Sequence, residues 1–357
     1  MIPEDELYMR RALDLALLGQ KAVSPNPMVG CVITYDGRII GEGWHQQYGG
    51  PHAEVNAVRS VQDQSLLPKS RLYVTLEPCS HYGKTPPCAD FLLEQGVRDV
   101  VICNTDPNPL VAGRGIRKLL EADCKVHTGL LEDLGLHLNR RFFTFHRRKR
   151  PYLLLKWAET ADGFIARPDF RQEWITQPLA RKLVHKWRSE EQAILVGTRT
   201  ALHDNPRLDA RDWSGESPLR IVIDRQLDLP TAHHLFDRSI PTLVYNCQRA
   251  DTAENLAYVR LEPEEDLLPQ IIYDLYGRNV LSVLVEGGTG LLETCLRSGL
   301  WDEARVFRSR IAFGEGIKAP PLRLAGLISQ EAIGDDQLLF FQNVSPAVEA
   351  IAPAEAP

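Results

Sequence analysis

The sequence predicts two consecutive α/β domains, on three observations. The chain has 357 residues, more than one ordinary domain needs and enough for two. Short apolar strands alternate with helical stretches along most of it, the pattern of a sheet that is at least partly parallel. The alternation stops once, at the basic run Arg147-Arg148-Lys149-Arg150-Pro151, and then restarts. Domains are expected at 1–147 and 151–347. The remainder, 348–357, is rich in Ala, Pro and Glu and reads as a disordered tail.

In the first half, a helix is predicted from Asp5, as N-cap, to a stop at Gly19. Val29–Thr34 and Arg38–Gly41 read as a hairpin across Tyr35-Asp36-Gly37. Pro51 suits the first position of a helix PHAEVNAVRSV. Arg71–Leu76 is a strand, Thr85-Pro86-Pro87-Cys88 opens a helix that runs to Gly96, and Asp99–Cys103 is another strand. In the second half, strands are expected from Tyr152 (YLLLKWA) and at Ala193–Gly197, Arg220–Ile223, Thr242–Tyr245 and Ser282–Glu286. Helices are expected at Pro178–Ser189 and Pro263–Leu275, and no internal repeat is visible.

Composition narrows the function. Hydrophobic residues make up 44%, enough for two cores, and the net charge of −6 gives no electrostatic case for nucleic acid. The basic stretch Arg140–Arg150 reads as a solvated helix end and linker. The acidic start MIPEDELYMRR has no apolar core of a signal peptide, and no apolar run reaches the ~18 residues of a membrane helix. A soluble, cytoplasmic chain without nucleic-acid or membrane partners is expected. Seven cysteines, without disulfide-framework spacing, point to metal binding or free thiols in a reducing compartment.

His52, Cys79 and Cys88 offer one imidazole and two thiolates, the three protein ligands of a zinc site that keeps a fourth position open. Glu54, at the same helix start as His52, is placed to shuttle a proton from water to a leaving group and is not a ligand. A closed structural site would want a fourth ligand, for which Cys31 is the one cysteine near enough in sequence to be suspected. Leu284-Val285-Glu286-Gly287-Gly288-Thr289-Gly290 runs an apolar strand into a Gly-rich turn and a helix, a geometry that presents backbone N–H groups to a phosphate or simply makes a tight turn.

The H-A-E…P-C…C signature resembles that of the cytidine deaminase superfamily, with eight residues, SHYGKTPP, between the cysteines where P-C-x-x-C is usual. That insertion, together with Asn26-Pro27-x-Val29-Gly30, Gly43-x-His45, TLEPCSHYGKTPPC at 75–88 and DPNPLVAGRG at 106–115, resembles the bifunctional riboflavin-biosynthesis deaminase–reductases. The likeness runs from about Leu7 to about Asn343. It implies a cytidine-deaminase-like three-layer α/β/α domain followed by a dihydrofolate-reductase-like α/β domain. The first would hydrolyse the 2-amino group of 2,5-diamino-6-(5-phosphoribosylamino)pyrimidin-4(3H)-one with one Zn2+ per chain. The second would use NADPH to reduce the ribosyl group, giving 5-amino-6-(5-phosphoribitylamino)uracil. By the resemblance, Asn26, His45, Lys84, Asp106 and Asn108 hold the deaminase substrate, with Lys84 and His45 suited to its phosphate.

The same resemblance puts Ala158, Trp174, Thr200, Asp204, Gly288, Thr289 and Gly290 at the nicotinamide cofactor. It puts Gln172, Arg188, Leu208, Arg211 and Glu286 at the reductase substrate, with Arg188 and Arg211 as phosphate forks. The chain departs from the family at Ala161, where Leu is usual, and at Ser309–Gly316, which lacks the usual Pro-Lys. Asp162 and Glu286 are the two candidates to supply the proton to the sugar. A homo-oligomer is the expected assembly. Other readings are a nucleoside- or tRNA-type zinc deaminase fused to a nucleotide-binding domain, and a structural zinc module joined to a nucleotide sensor.

Overall fold

A computed structural model describes residues 4–80, 86–108, 111–322 and 326–344, and the chain divides into two compact units between Arg148 and Lys149. The first contains α1 (Asp5–Leu17), β1 (Gly30–Tyr35), β2 (Arg38–Trp44), α2 (Ala53–Ser60), β3 (Arg71–Leu76), α3 (Cys88–Glu94), β4 (Asp99–Asn104), α4 (Arg114–Glu121), β5 (Lys125–Thr128), α5 (Glu132–Leu138) and α6 (Arg140–Arg148). The strands form one sheet in the order β2-β1-β3-β4-β5. β1 is antiparallel to β2 and β3, whereas β3, β4 and β5 run parallel. Asp36 and Gly37 both have positive φ, as a two-residue hairpin turn between twisted strands requires.

β3 and β4 read as continuous apolar runs because helices cover both their faces. Leu72, Val74, Val100 and Ile102 pack with Ala57 and Val58 of α2 and Leu92 of α3. Val32, Tyr73 and Val101 pack on the other face with Met9, Ala12 and Leu13 of α1. This is the three-layer arrangement. Gly30 lets β1 touch α1: a Cβ there would stand 1.9 Å from the Ala12 carbonyl oxygen. Gly30→Ala is therefore expected to destabilise this unit by about 1–3 kcal/mol, the usual cost of overpacking, read as a lower thermal midpoint for loss of ammonia release.

Two predicted caps are corrected. Asp5 is the first residue of α1 and Glu4 the N-cap; the buried Asp5 carboxylate instead accepts from Arg71 Nη1 (3.0 Å) and the Tyr73 hydroxyl (2.6 Å), anchoring α1 to β3. Pro51 is not the first helical residue. His52 is the N-cap, with extended backbone, and the helix begins at Ala53.

The second unit contains β6 (Tyr152–Glu159), β7 (Phe164–Ala166), α7 (Pro178–Glu190), β8 (Ala193–Gly197), α8 (Thr198–Asp204), β9 (Leu219–Ile223), β10 (Thr242–Asn246), β11 (Asp251–Ala253), β12 (Leu256–Arg260), α9 (Leu267–Gly277), β13 (Ser282–Val285), α10 (Thr289–Ser298), β14 (Glu303–Arg308), β15 (Ile317–Lys318), β16 (Leu327–Ile333) and β17 (Asp336–Gln342). Its main sheet has the order β11-β12-β10-β9-β8-β13-β6-β14-β17-β16. The strands from β12 to β14 in that order run parallel, and β11, β17 and β16 add antiparallel edges. Ala180, Val184 and Ala201 of α7 and α8 pack on one face. Ile271, Leu275, Leu292 and Cys295 of α9 and α10 pack on the other. α9 starts at Leu267, later than the expected Pro263, because the preceding turn folds back onto it: Gln270 accepts from the Glu262 N–H and donates to the Glu262 carbonyl. No helix among the described residues is long and apolar enough to cross a membrane.

Candidate active sites

In the first unit, α2 and α3 begin side by side beyond the end of β3. His52 caps α2, Cys88 opens α3 and Cys79 follows β3. His52 Nδ1 lies 3.6 Å from Cys79 Sγ and 3.3 Å from Cys88 Sγ, and the Cys88 N–H donates to Cys79 Sγ at 3.3 Å. Hydrogen bonding from Cys88, with a further contribution from His52, outweighs burial and holds Cys79 well below an ordinary thiol, in the state that binds metal. The three donor atoms lie within 4.8 Å of one another, and no other metal-type cluster is found among the described residues. One nitrogen and two sulfurs at this spacing fit a tetrahedral zinc ion with one position left over. Cys31 is not a fourth donor. It is fully buried in the apolar core with Ala53 and Leu72. Glu54, 3% exposed at the first turn of α2, stands outside the donor cluster; burial, opposed by His52, raises its carboxyl to about 7.

His45 is close to this cluster, its ring 5.3 Å from that of His52. Its Nδ1 faces the Pro51 carbonyl (3.1 Å), which can only accept, and its Nε2 faces the Asn26 amide nitrogen (3.2 Å), which donates. The ring is thus neutral, and burial also lowers its pKa. Of the two groups expected at the phosphate, His45 brings hydrogen bonding and no charge, and Lys84 lies outside the described residues. Asn139 went unnoticed in the sequence. Its amide both accepts from Met28 N–H and donates to Met28 O, at 2.9 Å each, pinning the segment that carries Asn26. Asp106 is buried, accepts from Asn108 N–H at 2.8 Å, and is raised to about 7, chiefly by burial.

In the second unit, the C-terminal ends of the parallel strands open on a cavity of 1440 Å³, the usual ligand position in such sheets. Every residue expected at the reductase cofactor or substrate lines it. Of those expected at the cofactor, these are Ala158, Trp174, Thr200, Asp204, Gly288, Thr289 and Gly290. Of those expected at the substrate, they are Gln172, Arg188, Leu208, Arg211 and Glu286. The Gly288 N–H donates to Thr200 Oγ1 at 2.8 Å, so α8 braces the turn that starts α10. Thr289 Oγ1 donates to the Lys318 carbonyl at 2.7 Å. A helix N-terminus and glycines that need no side-chain room make a suitable anion cradle.

Arg188 is not a free phosphate fork. Its Nε and Nη2 donate to the two Glu286 oxygens at 2.7 and 2.9 Å, and its Nη1 to the Asp209 carbonyl at 3.1 Å. Arg211 is half exposed and paired with Asp209. Lys156, on β6, reaches Glu286 at 3.5 Å and lines the cavity. Burial lowers its pKa, against the pull of Glu286. Burial would raise Glu286, but Arg188 and Lys156 outweigh it and bring it to about 2. Asp162 is not part of the cavity lining. It accepts from Thr160 Oγ1 (2.5 Å) and from the Phe313 and Gly314 N–H groups, which hold it ionised, and it ties down the segment where the family's Pro-Lys is missing. Of the two proton-donor candidates, only Glu286 faces the cavity, and as an ionised carboxylate it has no proton to give near neutral pH.

A three-donor metal cluster with a buried carboxylate, followed by a parallel-sheet unit with a cofactor-sized cavity, defines a hydrolytic deaminase joined to a reductase. The comparisons agree. Residues 2–104 match the cytidine and deoxycytidylate deaminase zinc-binding region, and residues 151–332 match the RibD C-terminal domain. The riboflavin biosynthesis protein RibD of Aquifex aeolicus is 36% identical over 352 residues, covering 95% of this chain and 98% of its own. That of Escherichia coli is 40% identical over 324 residues, covering 85% and 87%. The crystal structure of a Thermotoga maritima diaminohydroxyphosphoribosylaminopyrimidine deaminase/5-amino-6-(5-phosphoribosylamino)uracil reductase, 35% identical, matches with a TM-score of 0.86 over 95% of this chain and 98% of that one. The chain belongs to the RibD family, the bifunctional deaminase–reductases of riboflavin biosynthesis. That decides against the nucleoside, tRNA and sensor readings.

Proposed function

We propose that this chain replaces the 2-amino group of 2,5-diamino-6-(5-phosphoribosylamino)pyrimidin-4(3H)-one with oxygen from water, releasing ammonia, and then reduces the ribosyl group of that product with NADPH. The observation that carries the first step is the donor triad His52, Cys79 and Cys88 with Glu54 buried beside it. These ligands would hold one zinc ion per chain, and zinc, when bound, supplies the Lewis acidity that makes water nucleophilic near neutral pH. Glu54 takes the proton from water and delivers it to the departing amino group, so that atoms and charge balance with ammonia as leaving group. Asn26, neutral His45, Asp106 and Asn108 orient the ring and ribose, and Lys84 meets the phosphate.

For the second step, the gathering of both sets of family residues around one cavity supports the reading. NADPH supplies the hydride. Thr200 and the 288–290 turn hold the cofactor's phosphates, with Ala158, Trp174 and Asp204 along its length. Gln172, Leu208 and Arg211 face the substrate. Glu286, kept ionised by Arg188, orients Lys156, and the Lys156 ammonium gives the sugar oxygen its proton as carbon takes the hydride. Arg211 and the rim of the cavity, and not Arg188, are left to meet the phosphate. We place the enzyme in the cytoplasm as a homo-oligomer.

The test is one coupled assay on the pyrimidine phosphate, reading ammonia and NADPH together. One ammonia released per NADPH oxidised is expected. Chelation of zinc is expected to stop ammonia release while oxidation of NADPH by the deaminated pyrimidine continues. Zinc-loaded protein that releases no ammonia sinks the reading.

A further inference from the structure

One buried carboxylate of the deaminase unit has no part in the chemistry above. Glu77 follows β3, two residues before Cys79, and is 4% exposed. Its Oε1 accepts from the N–H groups of Gly115 (2.9 Å) and Ile116 (3.2 Å), and its Oε2 from those of Gly113 (3.0 Å) and Asp106 (3.2 Å). Gly115 and Ile116 are first-turn donors of α4, so Oε1 does what any helix cap does. Oε2 does more: it brings the Asp106 backbone to the helix start. Asp106 in turn accepts from the Asn108 N–H at 2.8 Å. A chain of contacts thus runs from Glu77 through Asp106 to Asn108. The near end of that chain is fixed to the metal cluster. α4 presses so closely on the segment leading to Cys79 that a Cβ on Gly115 would stand 1.9 Å from the Pro78 carbonyl oxygen. The Glu77 N–H also donates to the Asn104 carbonyl at 2.9 Å, which locks β3 to β4 at this point.

We propose that Glu77 is a positioning residue of the deaminase site, one that sets Asp106 and Asn108 at a fixed reach from the Cys79 ligand. Substrate binding depends on it and metal binding does not. The inference rests on the reading that Asp106 and Asn108 hold the pyrimidine substrate. A carboxylate is the side chain that can accept four N–H bonds at once. An amide in its place offers one oxygen and turns an NH2 group toward two donors, leaving buried N–H groups unpaired.

The experiment uses the full-length zinc enzyme and compares Glu77→Gln, Asp106→Asn and the double variant. Glu77→Gln is expected to raise the KM for ammonia release by about tenfold or more, as the loss of a buried charge-assisted hydrogen bond does. Zinc content and the reductase rate on deaminated pyrimidine stay at the starting level. Because Glu77 acts through Asp106, the double variant is expected to raise KM no further than Asp106→Asn alone. An unchanged KM in Glu77→Gln beside a raised one in Asp106→Asn overturns the proposal and leaves the site reading standing. An unchanged KM in Asp106→Asn overturns both. Loss of zinc in Glu77→Gln makes the residue a brace of the metal site and also overturns it. If Glu77→Gln does not accumulate as folded protein, Glu77→Asp keeps the charge and shortens the reach, and a smaller rise in KM at full zinc content is expected.

Discussion

Glu54→Gln is expected to stop ammonia release, by roughly 10²–10⁴-fold or more, while the protein keeps its zinc and its reductase rate. The geometry separates the two properties. Metal retention rests on His52 Nδ1 and the sulfurs of Cys79 and Cys88, which form a complete three-donor set without Glu54. Glu54 is buried next to that set and can carry a proton that an amide cannot. Glutamine also keeps the shape of the side chain, so packing at the first turn of α2 is preserved. Ammonia release and zinc by elemental analysis are the two measurements. A variant that still releases ammonia, or one that loses zinc, removes Glu54 from the role of proton carrier. The substitution also isolates the second reaction, because NADPH oxidation should then require deaminated pyrimidine added from outside.

How well each feature could be read from sequence follows from how far away its partners lie. The zinc ligands stood out because helix starts and a Pro-Cys block declare themselves within a few residues. The strands of both units stood out because helices on both faces make them continuous apolar runs. Caps were misread where a distant partner decides. Asp5 looked like an N-cap, but Arg71 and Tyr73, across the sheet, draw it inward. Pro51 suited a first helical position, but the helix waits until His52 has turned its ring to the two sulfurs. The same holds in the reductase cavity. Which residues line it was legible from motif positions. What they do was not, since the partner of Arg188 lies 98 residues away and the N–H groups that hold Asp162 lie 151 and 152 residues away. Glu77 was visible only as a letter in TLEPC; nothing local says that four backbone donors will meet it.

Glu286→Gln is expected to cost both reductase activity and stability, and the two can be told apart. In the folded protein Glu286 compensates two largely but not fully buried cations, Arg188 and Lys156. Removing that anion leaves those cations facing each other in the cavity; breaking a fully buried pair costs about 3–5 kcal/mol, and side chains 11–16% exposed place this one toward the low end of that range. The pH dependence gives the sign. Glu286 lies at about 2 in the folded protein against an ordinary 4.5, so its contribution is fully present above about pH 4.5 and is lost as the pH falls toward 2. The stability gap between the unsubstituted protein and Glu286→Gln should therefore be constant near neutrality and close on acidification through that window. A gap that widens there, or none at neutral pH, would mean that the carboxylate does not hold the two cations. Activity is tested where the fold is intact. At a temperature well below the variant's thermal transition, NADPH oxidation should fall by about 10² or more, because Lys156 loses the partner that orients it at the sugar. Ammonia release from the same sample is the control, since its ligands and proton carrier all belong to the other unit. A variant that keeps wild-type NADPH oxidation would take Glu286 and Lys156 out of the proton step, and one that loses both activities together would point to collapse of the chain and not of the site.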